Sequence, residues 1–233
     1  MKRTKMLVNL NQKIIKCERC PRLVSHRQSI AKEKTKRFRG EKYWGKPLSG
    51  FGDPNAELLL IGLAPAAHGG NRTGRMFTGD CSGDWVAKVL FEKGFATRST
   101  SKKIGDGFSL INAYITAAAR CAPPKNKPLK DELENCSTYL KDEIFILKNI
   151  RVIICLGRIA FESCCKLLHV KNRRFVHGKT FSHGKWTIIS SYHPSRQNTQ
   201  TGRLTWNQWQ DIFSKARKVI SERNEVISCN SDI

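Results

Sequence analysis

Residues Glu57-Leu-Leu-Leu-Ile-Gly-Leu63 run directly into Ala64-Pro-Ala-Ala-His-Gly-Gly-Asn-Arg-Thr-Gly-Arg-Met-Phe-Thr-Gly-Asp80. The first segment is apolar on both alternating faces, so a strand made from it needs cover above and below. The second is polar, glycine-rich and long for a plain connection, which marks it as a functional loop. Three further runs, Phe108–Ile111, Arg151–Leu156 and Trp186–Ser190, share the doubly apolar character through Ser-Leu-Ile, Val-Ile-Ile and Thr-Ile-Ile.

Helical spacing fills the intervals. One stretch begins at Asp84 and sets Trp85, Val86, Val89 and Leu90 on one face. A second runs from about Pro128 to Leu147, with its proline near the start. A third follows Gly157, and a last one carries Trp206, Trp209, Ile212 and Phe213. Strands alternating with helices predict an α/β fold, a three-layer sandwich with a central, mainly parallel four-stranded sheet flanked by helices. Residues 1–233 read as a single domain, with an N-terminal helix and basic irregular segment over about 1–50 and a polar tail over about 222–233. In such sheets ligands bind beyond the carboxyl ends of the strands. The segments after Leu63, after Ile111 and after Ser190 fall there, which joins three local patterns into one expected site.

The chain holds 42 Lys+Arg against 19 Asp+Glu, a formal net charge of +23. A surplus of that size repels itself and is tolerable beside a polyanion such as nucleic acid. Lys32, Lys34, Lys36, Arg37, Arg39, Lys42 and Lys46 cluster in one stretch, as a binding surface would. The sequence has no apolar run long enough to span a bilayer and no sustained apolar stretch behind its basic start. The expected setting is therefore the cytosol, beside the nucleoid, with no membrane partner.

In a reducing compartment, nine cysteines point to metal, cluster or core roles rather than to disulfides. Cys17-Glu-Arg-Cys20 is a C-x2-C pair, which lets one tight turn offer two thiolates. Cys121 and Cys136 lie much later, and prolines follow Cys20 and Cys121 closely. A four-cysteine [4Fe–4S] cluster is the leading expectation; zinc, or no metal, remain open alternatives, although zinc ribbons usually close with a second C-x2-C. Cys155, Cys164, Cys165 and Cys81 read as packing residues.

The long loop lacks both the Walker lysine and a G-x-G-x-x-G fingerprint. Its glycines allow a close backbone approach to a ligand, Phe77 could stack on a flat ring, and Asp80 could act as a base or orient water. His68, Asn71 and Arg72 add polar groups. Residues Gly62–Asp80 resemble the first motif of the family 5 uracil-DNA glycosylases. Arg120-Cys-Ala-Pro-Pro-Lys-Asn-Lys-Pro128 and His193-Pro-Ser195 are similar to later motifs of that family, and the four cysteines match the cluster pattern shared with family 4.

The resemblance implies a uracil-DNA glycosylase-like fold and a monofunctional hydrolase that releases uracil, and other deaminated bases such as hypoxanthine and xanthine, from double-stranded DNA. It implies that Cys17, Cys20, Cys121 and Cys136 hold the cluster. It implies that His193 donates a hydrogen bond to the base, that Asn126 contacts it, and that Phe77 stacks on it beside Ala64. Family 4 carries a glutamate where Leu63 stands, so Asp80 becomes the candidate for positioning water, and the apolar turn predicts relaxed specificity. Arg72, Arg75, Arg196, Gln197, Asn198 and Arg203 are the expected DNA contacts, the last four on a flexible loop, and the enzyme is expected to act as a monomer. The rival from another class is a non-catalytic cluster protein that binds DNA, which leaves the long loop and His193 without a task.

Overall fold

The computed structural model describes the backbone of residues 2–229 and the side chains of residues 2–222. In chain order the helices are α1 (Lys2–Ile15), α2 (Pro21–Glu33), α3 (Gly70–Thr73), α4 (Cys81–Glu92), α5 (Lys130–Ile146), α6 (Arg158–Leu167), α7 (Arg196–Gln200) and α8 (Trp206–Cys229). The strands are β1 (Phe51–Gly52), β2 (Leu58–Gly62), β3 (Ala113–Ala117), β4 (Val152–Leu156), β5 (Thr180–His183) and β6 (Trp186–Ser191).

One mixed sheet has the order β1-β3-β2-β4-β6-β5. Its four inner strands are mutually parallel, and the edges β1 and β5 are antiparallel. The expected three-layer sandwich is present, but the sheet has six strands, not four. Both additions escape a search for apolar runs. β1 is two residues long, and β5 is a Thr-Phe-Ser-His edge strand with no buried position. By contrast β2 and β4 are buried at every position, as a sheet covered on both faces requires.

The second strand also lies later than expected. Ile111 is exposed, Leu110 makes only an isolated bridge to Ala96, and Asn112 turns the chain at φ 52°. Pairing with β2 starts at Ala113, so the carboxyl end of β3 leads straight to Arg120 and Cys121. Over residues 1–50, a second helix, α2, interrupts the segment expected to be irregular. The segment expected as a tail continues α8 to Cys229, and residues 230–233 lie outside the described residues.

Two apolar layers cover the sheet. On one face α4 and α8 pack through Val86, Val89, Leu90, Trp209, Ile212 and Phe213. Trp209 is fully buried and donates from Nε1 to the Trp85 carbonyl, as expected of a docking residue. On the other face α1, α5 and α6 pack through Leu10, Ile14, Leu140, Ile144 and Phe161, with Cys155 and Cys164 in the same core. No helix of the described residues is long and apolar enough to cross a membrane.

Candidate active site

Beyond the carboxyl ends of β2, β4 and β6, two expected residues, Phe77 and His193, meet, and Asp80 caps the helix that follows the loop. β2 ends at Gly62, where a methyl group would stand 2.9 Å from the ring of Phe77. The missing side chain lets Phe77 lie over the strand end. Phe77 takes a left-handed backbone (φ 49°), and its carbonyl is backed by Gly83 with no room for a side chain. Its ring stacks beside His193, with centroids 5.9 Å apart and planes 30° from parallel. His193 follows β6 and lies over Gly157, the glycine that ends β4, at φ 96°. Dense protein around the imidazole lowers its pKa to about 4, so the ring is neutral at physiological pH.

Asp80 caps α4, its Oδ1 accepting from the Gly83 N–H at 2.8 Å. Burial raises its pKa above that of an ordinary aspartate, while the bonds from the backbone N–H groups of Gly83 and Ser82 oppose the shift. The other oxygen faces Gly69, where an added methyl would stand 1.8 Å from Oδ2. Gly69, expected with the loop's other glycines to allow close approach of a ligand, instead makes room for Asp80 where the loop folds back. Gly69→Ala is therefore expected to drive Asp80 off the helix end. Steady-state assays should show activity falling at least about tenfold, and urea melts should show a loss of about 1 kcal/mol for the cap. Wild-type turnover would contradict this placement.

Arg72 and Arg75 do not face outward as DNA contacts would. Arg72 bonds the carbonyls of His68 and Gly79, pairs with Glu41 and lies over the Phe38 ring at 4.0 Å. Arg75 pairs with Asp106 at 2.9 Å and bonds Thr78 and Ser101. Both guanidinium groups staple the loop from inside. The loop is also joined to the basic N-terminal segment, by Tyr43 Oη to His68 Nδ1 at 2.9 Å and by Trp44 and Gly45 N–H bonds to Arg72 and Asn71. Exposed Lys36, Arg37, Arg39, Lys42 and Lys46 therefore lie on the segment that borders the site.

After His193 the chain forms the short helix α7 rather than a flexible loop, with Ser195 as its N-cap. Asn198 turns inward, donating to the His193 carbonyl at 2.8 Å, so it holds the imidazole's backbone and is not a free base contact. Arg196 and Gln197 are exposed, and Arg203 is exposed above the Tyr192 ring at 4.4 Å. Cys81, expected to be a packing residue, accepts from Arg196 Nε at 3.1 Å and so links α4 to α7. Asn126 stands exposed on the loop after β3, where it and Lys125 both adopt left-handed backbone. Ala64 is partly exposed at the end of β2.

Cys17 and Cys20 lie on the turn between α1 and α2, Cys121 follows β3, and Cys136 is on α5. The Cys121 thiol is pushed up to about 12, chiefly by burial; Arg27 opposes the shift, while Cys136, Cys17 and Cys20 add to it. The four thiols are thus within electrostatic reach of one another. Among the described residues, no three of His, Cys, Asp or Glu close around a point that could hold a single metal ion. Asn135 Nδ2 donates to Cys20 Sγ at 3.5 Å.

The family profile described as "Uracil DNA glycosylase superfamily" matches residues 49–217, and the chain belongs to that superfamily. Within it the chain falls in the type-5 group. It is 45% identical to a "Type-5 uracil-DNA glycosylase" of Thermus thermophilus over 89% of this chain and 95% of the relative. It is 41% identical to one of Pyrobaculum aerophilum, over 88% and 89%. A "Type-4 uracil-DNA glycosylase" of Archaeoglobus fulgidus is more distant, 28% identical over 63% of this chain and 69% of the relative.

Proposed function

We propose that the chain hydrolyses the N-glycosidic bond of uracil, and of other deaminated bases such as hypoxanthine and xanthine, in double-stranded DNA. The observation that carries this reading is the stacking of Phe77 on the neutral His193 at one end of the sheet, with the Asp80 carboxylate held as a helix cap three residues after Phe77. Glycosidic cleavage builds positive charge on the sugar and negative charge on the leaving base. A base taken out of the stack meets the Phe77 ring beside Ala64, while the neutral His193 donates to a carbonyl oxygen that gains charge. Asp80, ionised, faces the developing sugar cation and holds the attacking water. The Leu63–Ala64 turn brings no polar side chain to discriminate among base edges, which favours a broad lesion range. Asn126 is assigned to the base through the family motif, and Arg196, Gln197 and Arg203 to the DNA strand. The chain acts as a monomer on nucleoid DNA in the cytosol in this reading.

Cys17, Cys20, Cys121 and Cys136 would hold a [4Fe–4S] cluster. Their chemistry fits: all four ligands are thiols, and Cys136, Cys17 and Cys20 each act electrostatically on Cys121. When bound, the group would cross-link the α1–α2 turn, the β3–α5 loop and α5, a structural task.

The pH dependence follows from Asp80. Its raised pKa keeps a proton on the carboxyl to higher pH than usual, so activity should rise with pH through that value and then level off. His193 is already neutral above about pH 4 and adds no limb near neutrality. Asp80→Asn should abolish the acid limb with most of the rate, yet keep the helix cap and the melting temperature. An unchanged pH profile in that variant would remove Asp80 from the mechanism. Single-turnover release from duplexes carrying hypoxanthine or xanthine, against matched single strands, tests the substrate range. Strict uracil-only release would overturn the broad-pocket reading, as would equal rates on normal bases.

A further inference from the structure

β6 ends at Ser191, two residues before His193, so the bonds that close its end set where that imidazole starts. On the β4 side the Gly157 N–H donates to the Ser191 carbonyl at 2.8 Å. On the β5 side the pairing continues past Thr180. The Gly178 N–H donates to the Ser190 carbonyl at 2.8 Å, and the Ser190 N–H to the Lys179 carbonyl at 3.0 Å. The next bond on that side is made by a side chain. The Tyr192 N–H donates to His177 Nδ1 at 3.1 Å, so a ring nitrogen takes the place of a strand carbonyl. Nδ1 can accept only without a proton, which makes the ring neutral with its proton on Nε2.

The face of the same ring is also engaged. It stacks on the Tyr192 ring, with centroids 4.8 Å apart and planes 8° from parallel. Tyr192 in turn lies under the Arg203 guanidinium, 4.4 Å from the ring centroid, and meets Phe175 at 5.9 Å. We infer that His177 is a positioning residue with two separable tasks: its Nδ1 fixes the peptide from which His193 projects, and its face holds Tyr192 beneath Arg203. This rests on the glycosylase reading above, with His193 on the base and Arg203 on the DNA strand. The first task is felt at the reacting base and the second in DNA binding, so they divide between kcat and KM.

Two variants separate them. His177→Phe keeps a flat ring and loses the acceptor. His177→Asn loses the ring and keeps an acceptor, since Oδ1 is bonded to Cγ as Nδ1 is. With uracil-containing duplex DNA, His177→Phe should lower kcat about tenfold at unchanged KM, the scale of a small misplacement beside the reacting group. His177→Asn should keep kcat within about twofold of wild type and raise KM about threefold, as expected for a lost aromatic stack. A wild-type kcat in His177→Phe, or a kcat in His177→Asn as low as that of His177→Phe, would overturn the acceptor's task. An unchanged KM in His177→Asn would overturn the platform's. Should His177→Phe fail to fold, His177→Ala replaces it, and an alanine kcat no lower than that of asparagine would overturn the acceptor. The 15N NMR spectrum of the wild-type imidazole reads the bond without turnover: Nδ1 should be unprotonated, and a proton there would overturn the inference. A wild type that releases no uracil, with Nδ1 unprotonated, would overturn the glycosylase reading instead, a separate result.

Discussion

His193→Ala is expected to lower kcat for uracil release by about a hundred- to a thousandfold while leaving KM nearly unchanged. The imidazole stands beside Phe77 beyond β4 and β6, and dense surroundings keep it neutral down to about pH 4. A neutral donor gains most as charge appears on the base, so its loss is felt in the transition state more than in the bound ground state. The fold should survive the change, because the segment is fixed through the His193 carbonyl by Asn198 and not through the ring. His193→Gln, which can still donate, should recover part of the rate. A loss under about tenfold with alanine would mean that the base is stabilised elsewhere.

The largest effect on stability is expected from Glu143→Ala. Glu143 on α5 and Arg120 are 0% and 1% exposed and form a bidentate pair at 2.6 and 3.1 Å. Thr116 on β3 also donates to Glu143 Oε2 at 2.5 Å. Truncation would leave the Arg120 charge buried with no partner, a change that typically costs about 3–5 kcal/mol. Arg120 directly precedes Cys121 and its carbonyl accepts from Leu48 N–H, so the cysteine loop should loosen with it. Urea melts read the effect. The double variant Arg120→Met with Glu143→Leu should regain most of the loss, since two apolar groups leave no orphan charge. A single-variant cost under about 1 kcal/mol would show the pair to be solvated in practice.

These two residues mark how far the sequence was legible. β2, β4 and β6 could be read because doubly buried strands are continuous apolar runs. β3, Ala113-Tyr-Ile-Thr-Ala117, could not, since Thr116 looks polar until Glu143 is brought to it from α5. The second helix was missed for a related reason: Arg27 on its buried face reads as a surface charge when its surroundings are unknown. Phe77, Asp80 and His193 were read from local motifs; the fold stacks Phe77 beside His193 and makes Asp80 the cap of α4. Arg72 and Arg75 were expected to contact DNA because their carboxylates lie 31 residues away in each case, beyond any local pattern. Asn198 was assigned to bases because nothing in its neighbourhood announces that it turns back to the His193 carbonyl.

The most direct test of the site is incubation with labelled duplex DNA carrying one uracil opposite guanine, then alkaline cleavage and a sizing gel. A strand cut only after alkali, and lost in His193→Ala, is the result expected of a monofunctional glycosylase working through this site. DNA that is bound but stays intact after alkali, with hypoxanthine and xanthine duplexes equally intact, would contradict it and leave a DNA-binding protein without glycosylase chemistry.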